Sequence, residues 1–176
     1  MSPTFPADSI DGLPTPPRTI TDSEGRGIHL RQATSEDTEQ IVEMYLDFDP
    51  ADRAQGIPPT GEESIRDWLE LLDADDALHA IALHEDDVVG HVMLVGDDGK
   101  AHELAIFVLQ SYQGAHIGTE LVRTSLGLAQ ENGLESIWLS VERWNTPAIA
   151  LYEKIGFETT GSASFEMEMA LRLAQD

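Results

Sequence analysis

Apolar residues recur along this chain with two different spacings, and the switches between them mark out its elements. Ile28-His29-Leu30-Arg31-Gln32-Ala33 alternates apolar and polar positions, the pattern of a half-buried strand. Thr34-Ser35-Glu36-Asp37 then offers a helix start with acid in its first turn, and Ile41, Val42, Tyr45 and Phe48 follow at helical spacing until Pro50. A polar loop, Ala51–Thr60, leads to a second helix over Glu62–Leu72 with Ile65, Trp68, Leu69 and Leu72 on one side. Three strands come next, at Leu78–Leu83, Val88–Val95 and Ala101–Val108, joined by turns at Glu85-Asp86-Asp87 and Asp97-Asp98-Gly99.

A third helix over Thr119–Asn132 carries Leu121, Val122, Leu126, Leu128 and Ala129, and Gly133 supplies its C-cap. Ser136–Val141 reads as a strand, a helix follows around Pro147, and Phe157–Thr160 and Ser164–Ala170 read as closing strands. The order β-α-α-β-β-β-α-β-α-β-β predicts one α/β (α+β) domain with a mixed sheet flanked by helices, over residues 28–174. Residues 1–27 differ in kind. Pro3, Pro6, Pro14, Pro16 and Pro17 stand among Ser, Thr, Asp and Gly, which predicts a flexible arm or a strap laid over the domain and docked by Leu13 and Ile20.

Composition narrows the classes. The chain has 176 residues, 41% of them hydrophobic, enough for a sizeable core. It has no cysteine, which excludes disulfides, thiolate nucleophiles and Cys-based zinc sites. No apolar run approaches the roughly 20 residues that span a bilayer. The N-terminus lacks a basic region and an apolar core, so a signal peptide is not expected and a cytoplasmic location is. No membrane partner is expected. Acid outnumbers base by 33 to 10, for a formal net charge of −23, and Lys100 and Lys154 are the only lysines. Acid dispersed in this way resembles the solvated surface of a halophilic protein; the competing reading is attraction of a cationic substrate. Such a surface repels phosphates, so nucleic acid is not an expected partner. His29, His79 and His84 show no metal-ligand clustering, and no metal is expected.

The most informative stretch runs from Glu103 to Thr119, ELAIFVLQSYQGAHIGT: an apolar strand, a short turn, then a glycine-containing loop that opens a helix. Consecutive N–H groups in such a loop, with the helix's positive end, make an anion site. The P-loop ending Gly-Lys-Ser/Thr is missing, and Gly114-Ala115-His116-Ile117-Gly118 is not the GxGxxG of dinucleotide folds. Gln113 to Gly118 instead resembles the Gln/Arg-x-x-Gly-x-Gly/Ala loop of the GCN5-related N-acetyltransferases. Downstream, Asn145-Thr146-Pro147-Ala148-Ile149-Ala150-Leu151-Tyr152-Glu153-Lys154-Ile155-Gly156-Phe157 is similar to that family's Asn-x-x-Ala-x-x-Leu-Tyr-x-x-x-Gly-Phe. The two motifs stand in order and at family-like spacing, and the resemblance covers roughly Ile28 to Leu171.

The resemblance implies a mostly antiparallel sheet and transfer of an acetyl group from acetyl-CoA to a primary amine, on a small molecule, a protein lysine or an N-terminus. Transfer would be direct, in a ternary complex, which suits a chain without cysteine. The alternative is a catalytically silent acyl-CoA-binding regulatory module on the same fold. By the family's pattern, the loop Gln113, Gly114, Ala115, His116, Ile117, Gly118 and Thr119 binds the pyrophosphate. His116 departs from the usual glycine, and is expected to serve if its φ is negative. The preceding strand is expected to bulge and splay, so that backbone N–H groups of Ile106, Phe107 and Val108 bind the pantetheine and thioester oxygen. Asn145 would bond the cofactor arm or an unpaired strand backbone, the competing reading being an N-cap beside Thr146-Pro147. Glu103, taken as a carboxylate facing a cleft, is the implied general base, with His102 and His91 as alternatives, and Tyr152 is the implied general acid; the competing readings are a solvent-facing or structural glutamate for Glu103 and a core aromatic with one polar end for Tyr152. The acceptor would lie between Asp47–Thr60, with Phe48, Asp49 and Asp52 nearby, and Gly161–Ser164. Homodimers are common in the family, so a homodimer is one assembly it allows. Ala101–Val108 with Tyr112–Gly118 also looks somewhat like the protein-lysine acetyltransferases.

Overall fold

The computed structural model describes residues 5–52, 57–73, 76–96 and 101–175. The turn expected at Asp97-Asp98-Gly99 lies outside them, as does part of the Ala51–Thr60 loop. Nine strands form one sheet among the described residues: β1 (Ser9–Ile10), β2 (Arg18–Thr21), β3 (Gly27–Gln32), β4 (Leu78–His84), β5 (Asp87–Gly96), β6 (Ala101–Val108), β7 (Ser136–Glu142), β8 (Glu158–Ser162) and β9 (Glu166–Leu173). Four α-helices accompany them: α1 (Thr38–Leu46), α2 (Glu62–Leu72), α3 (Ile117–Glu131) and α4 (Thr146–Ile155). The strands lie in the order β1-β9-β7-β6-β5-β4-β3-β2, with β8 also on β9. Pairing is antiparallel except for β1–β9 and β6–β7. The expected α/β architecture and element order are those observed, with two further strands in the N-terminal segment.

Alternation along β4 divides the core. Ala80 and Ala82 belong to one cluster, which α3 fills with Ile117, Leu121, Val122, Leu126 and Ala129. Ile81 and Leu83 point the other way, into a second cluster with Ile41, Val42, Met44, Tyr45, Phe48 and Ile65 from the α1–α2 side. Leu121 and Leu126 are fully buried, and truncating either to alanine would cost about 2–5 kcal/mol. The first helix begins as a 3-10 turn over Ser35–Asp37, because Thr34 and Asp37 form a capping box there. Asp37 also takes a two-pronged ion pair from Arg31, at 2.7 and 2.8 Å. Its carboxyl is held below the usual range, first by that guanidinium and against the opposing effect of burial.

Residues 5–27 do not trail away from the domain. They run from one edge of the sheet, where β1 pairs with Arg172 and Leu173, to the other, where β2 pairs with β3. On the way the segment crosses α3 at Gly127, whose added Cβ would meet the Pro14 carbonyl oxygen. Leu13 and Ile20 pack on the main core, and Arg18 bonds Glu120 at 2.9 Å and Thr124 at 3.1 Å on α3. Apolar docking at those two positions, and edge strands left open by the rest of the sheet, give this proline-rich segment its fixed course. No helix of the described residues is long and apolar enough to cross a membrane.

Candidate active site

The site grows from a parting of two strands. β6 and β7 pair only over Ala101–Glu103 and Ser136–Trp138; beyond that β7 stays with β9 and β6 stays with β5. A wedge therefore opens alongside the second half of β6. The expected splay is present, but the bulge is not in this strand. β6 runs in unbroken register with β5 from Gly96↔His102 to Gly90↔Val108, and the irregularity falls between β4 and β5 at Ala82/Leu83.

Register decides which backbone groups face the wedge. Leu109 N–H donates to the Val89 carbonyl at 2.9 Å. Counting back by twos along an antiparallel ladder, Phe107, Ala105 and Glu103 exchange hydrogen bonds with β5, whereas Val108 and Ile106 turn theirs toward the wedge. The Val108 carbonyl is taken by Gln113 Nε2 at 2.9 Å. Of the three backbone donors expected here, Ile106 and Val108 thus face the opening. Phe107 does not, because its N–H is turned to its partner His91. Its ring enters the aromatic group of Tyr45, Phe48 and Trp68, all within 6.1 Å between centroids.

At the wedge's mouth the chain makes a 3-10 turn over Gln110–Tyr112 and enters the loop before α3. Gly114 and His116 both have left-handed backbone, φ +73° and +71°. His116 was expected to need a negative φ; the turn instead keeps a glycine-like shape, which a non-branched histidine tolerates. Ala115 and Ile117 anchor the loop inward, while Gln113, Gly114 and His116 are exposed. Among the described residues, no acceptor takes the N–H groups of Gly114 to Thr119; the first bond of the helix is Glu120 N–H to the His116 carbonyl, 3.2 Å. Six such donors at a helix's positive end are chemically suited to cradle an anion.

The side chains expected to do chemistry are placed differently from one another. Glu103 lies in the last β6–β7 pair before the parting, and it is exposed rather than buried. Tyr152 is buried on α4 with its ring against Phe157, 5.7 Å between centroids, and burial pushes its phenol up to about 12. Asn145 caps α4: its Oδ1 accepts from Ala148 N–H at 3.4 Å, with proline in the first turn. That cap is the hydrogen bond its side chain makes among the described residues, the N-cap reading of Asn145-Thr146-Pro147. Neither alternative base is placed to act. His91 is buried, bonded to Tyr45 and His79, and pushed by burial to about 3. His102 is buried with Nε2 3.1 Å from the Asp76 carbonyl. Among the described residues no group of three His, Asp or Glu side chains could hold a metal.

Two parts of the neighbourhood went unread in the sequence. The turn Asp22–Arg26 lies against the loop, with Ser23 N–H donating to the Ala115 carbonyl at 3.1 Å and Arg26 to the Ser111 carbonyl at 3.2 Å. Asp22-Ser23-Glu24-Gly25 is itself a turn sequence, so the hairpin, though not its destination, was there to find. On the far side of His116, α3, α4 and residues 10–13 enclose a cleft of about 450 Å³.

The acetyltransferase (GNAT) family model matches residues 38–157. An N-alpha-acetyltransferase of Saccharolobus solfataricus is 28% identical over 148 residues, covering 77% of this chain and 83% of that protein. An N-acetyltransferase of Mycobacterium tuberculosis is 31% identical over 87 residues, and there the alignment covers 49% of this chain and 56% of the relative's length. Among solved structures, the GNAT domain of S. lividans PAT superposes with a TM-score of 0.77 at 16% identity, over 89% of this chain and 97% of that one. The yncA protein of Salmonella typhimurium, solved with its cofactor acetyl-CoA, superposes at 0.68 with 19% identity, over 85% and 95%. With the parted strands and the cradle before α3 inside the matched region, the chain belongs to the acetyltransferase (GNAT) family.

Proposed function

We propose that this protein is an N-acyltransferase that moves an acetyl group from acetyl-CoA to a primary amine within one ternary complex. The observation that carries the reading is the alignment of the wedge beside β6 with six unengaged N–H groups at the start of α3. The residues present fit the cofactor: an extended arm has a strand edge to lie along, and a diphosphate has a cradle at its mouth.

Acetyl-CoA supplies an activated thioester carbonyl. The chain's part is to hold it and manage charge and protons. The N–H groups of Gly114 to Thr119 bind the diphosphate, and Gln113 pins the loop to Val108. Ile106 and Val108 offer N–H donors along the wedge, and one such donor aimed at charge growing on the thioester oxygen is worth about 3 kcal/mol. Glu103, on the strand face shared with Phe107, takes the proton of the incoming amine through water. Tyr152 keeps its own proton across the neutral range, and it can lend that proton to the departing sulfur. Asn145 serves indirectly, by fixing the start of the helix that carries Tyr152. The acceptor enters from the α1–α2 side and the β8–β9 turn. Each region is tied down on its own side, Asp49 N–H meeting Gln110 Oε1 at 3.0 Å beside the β6 end and Arg143 N–H meeting the Phe165 carbonyl at 2.9 Å between β7 and β9.

The test is calorimetry with acetyl-CoA, then thiol release over an amine panel at low and high salt. Binding and amine-dependent release are expected. Binding without release toward any amine would favour the silent acyl-CoA-binding module, and no binding of any CoA species would sink both.

A further inference from the structure

We propose that the N-terminal segment, residues 5–27, is a working part of the cofactor site: its hairpin turn sets the shape of the phosphate loop, and its first strand walls the cleft that receives the nucleotide end of the cofactor. This rests on the acyl-CoA reading above. The turn is rigid by construction. The buried Asp22 carboxylate accepts from Glu24 N–H at 3.0 Å, Arg26 N–H at 2.8 Å and Arg26 Nε at 2.7 Å. From that base the turn reaches the loop at three points. Ser23 N–H holds the Ala115 carbonyl, Arg26 Nη1 holds the Ser111 carbonyl, and the guanidinium stacks 4.1 Å over the ring of Tyr112. Tyr112 is fixed from its other end by His84, 2.6 Å from the hydroxyl. The loop is thus gripped on both sides of Gly114, which costs the cradle less ordering when an anion arrives.

The cleft continues the same site. It opens at His116 and Thr119, where the cradle ends, and Ile10 and Leu13 form its outer wall. Arg123 and Lys154 line it, in a chain with only ten Lys and Arg. Glu120 and Asp11 also line it, and Glu120 is held by Arg18 and Arg123 at 2.9 and 3.2 Å. A diphosphate on the cradle points its nucleotide into this space, with Arg123 and Lys154 toward the terminal phosphate. Gly127 keeps the wall in place, since Pro14 rests on it.

Calorimetry on the full chain with CoA, 3′-dephospho-CoA and pantetheine tests this. Arg26→Leu is expected to weaken CoA about tenfold and pantetheine not at all, because pantetheine does not reach the loop. Gly127→Ala, which lifts the wall, is expected to do the same, and Arg26→Leu stands alone if that variant fails to fold. Lys154→Gln should weaken CoA and leave 3′-dephospho-CoA unchanged. Equal weakening of CoA and pantetheine by Arg26→Leu would mark it as merely structural and overturn the proposal, as would no weakening. If the unaltered protein binds neither CoA nor pantetheine, the acyl-CoA reading itself has failed.

Discussion

The hydroxyl of Tyr45 lies 2.7 Å from Nδ1 of His91, and the other ring nitrogen of His91 lies 2.9 Å from Nδ1 of His79. Tyr45, on α1, and His91, on β5, are at 0% and 1% exposure, and His79 at the end of the row is half-buried. Burial, chiefly, and then the neighbouring His79 push His91 down to about 3, and burial pushes Tyr45 up, so both stay neutral in the fold.

That relationship sets a pH dependence. In the unfolded chain a histidine titrates near 6.5, so below that pH the unfolded state binds a proton that the folded state refuses. Stability therefore falls as pH drops from about 6.5 toward 3, with a slope of ~1 kcal/mol per unit from this group. His91→Gln should have a shallower loss between pH 6.5 and 5 in urea titrations. Parallel curves for the two proteins would show that His91 does not contribute.

His116 at φ +71° carries a cost of about 1 kcal/mol relative to glycine. His116→Gly should match or exceed the parent protein in thermal unfolding, and His116→Val should fall below it by about 1–2 kcal/mol, because a branched Cβ suits this backbone worst. A valine variant as stable as the parent would mean the loop relaxes to another conformation.

Tyr152→Phe removes a proton source and little packing. Turnover should drop by about 10²-fold, while acetyl-CoA affinity changes less than about twofold. Loss of both in equal measure would make Tyr152 a packing residue.

In the proposed mechanism Glu103 would take a proton only when ionised, so the acid limb of the pH–rate profile should belong to it. Glu103→Gln should flatten that limb and lower kcat/KM by about 10²-fold or more. An unchanged profile removes Glu103 from the mechanism.

Local chemistry wrote much of this molecule legibly. The α2 and β6 spans, Glu62–Leu72 and Ala101–Val108, follow from periodicity alone, and Gly133 with its φ of +78° closes α3 where a C-cap glycine was expected. The loop before α3 was recognisable because what it offers is backbone N–H, which a short run of residues determines. Side-chain environments were less legible. The exposure of Glu103 depends on what lies across space from it, whereas the cap that Asn145 makes is local and follows from Asn145-Thr146-Pro147.

What the sequence by itself determined was the element order, the two motifs and the family they resemble, because each is encoded within a few turns of chain. Only the tertiary structure decided where β6 leaves β7, which of Ile106, Phe107 and Val108 faces the opening, and that the proline-rich N-terminus spans the sheet to brace the loop at Ala115. Those depend on contacts between segments far apart in the chain, Ser9 with Arg172 and Ser23 with Ala115 among them, and no local pattern specifies the register in which distant strands meet.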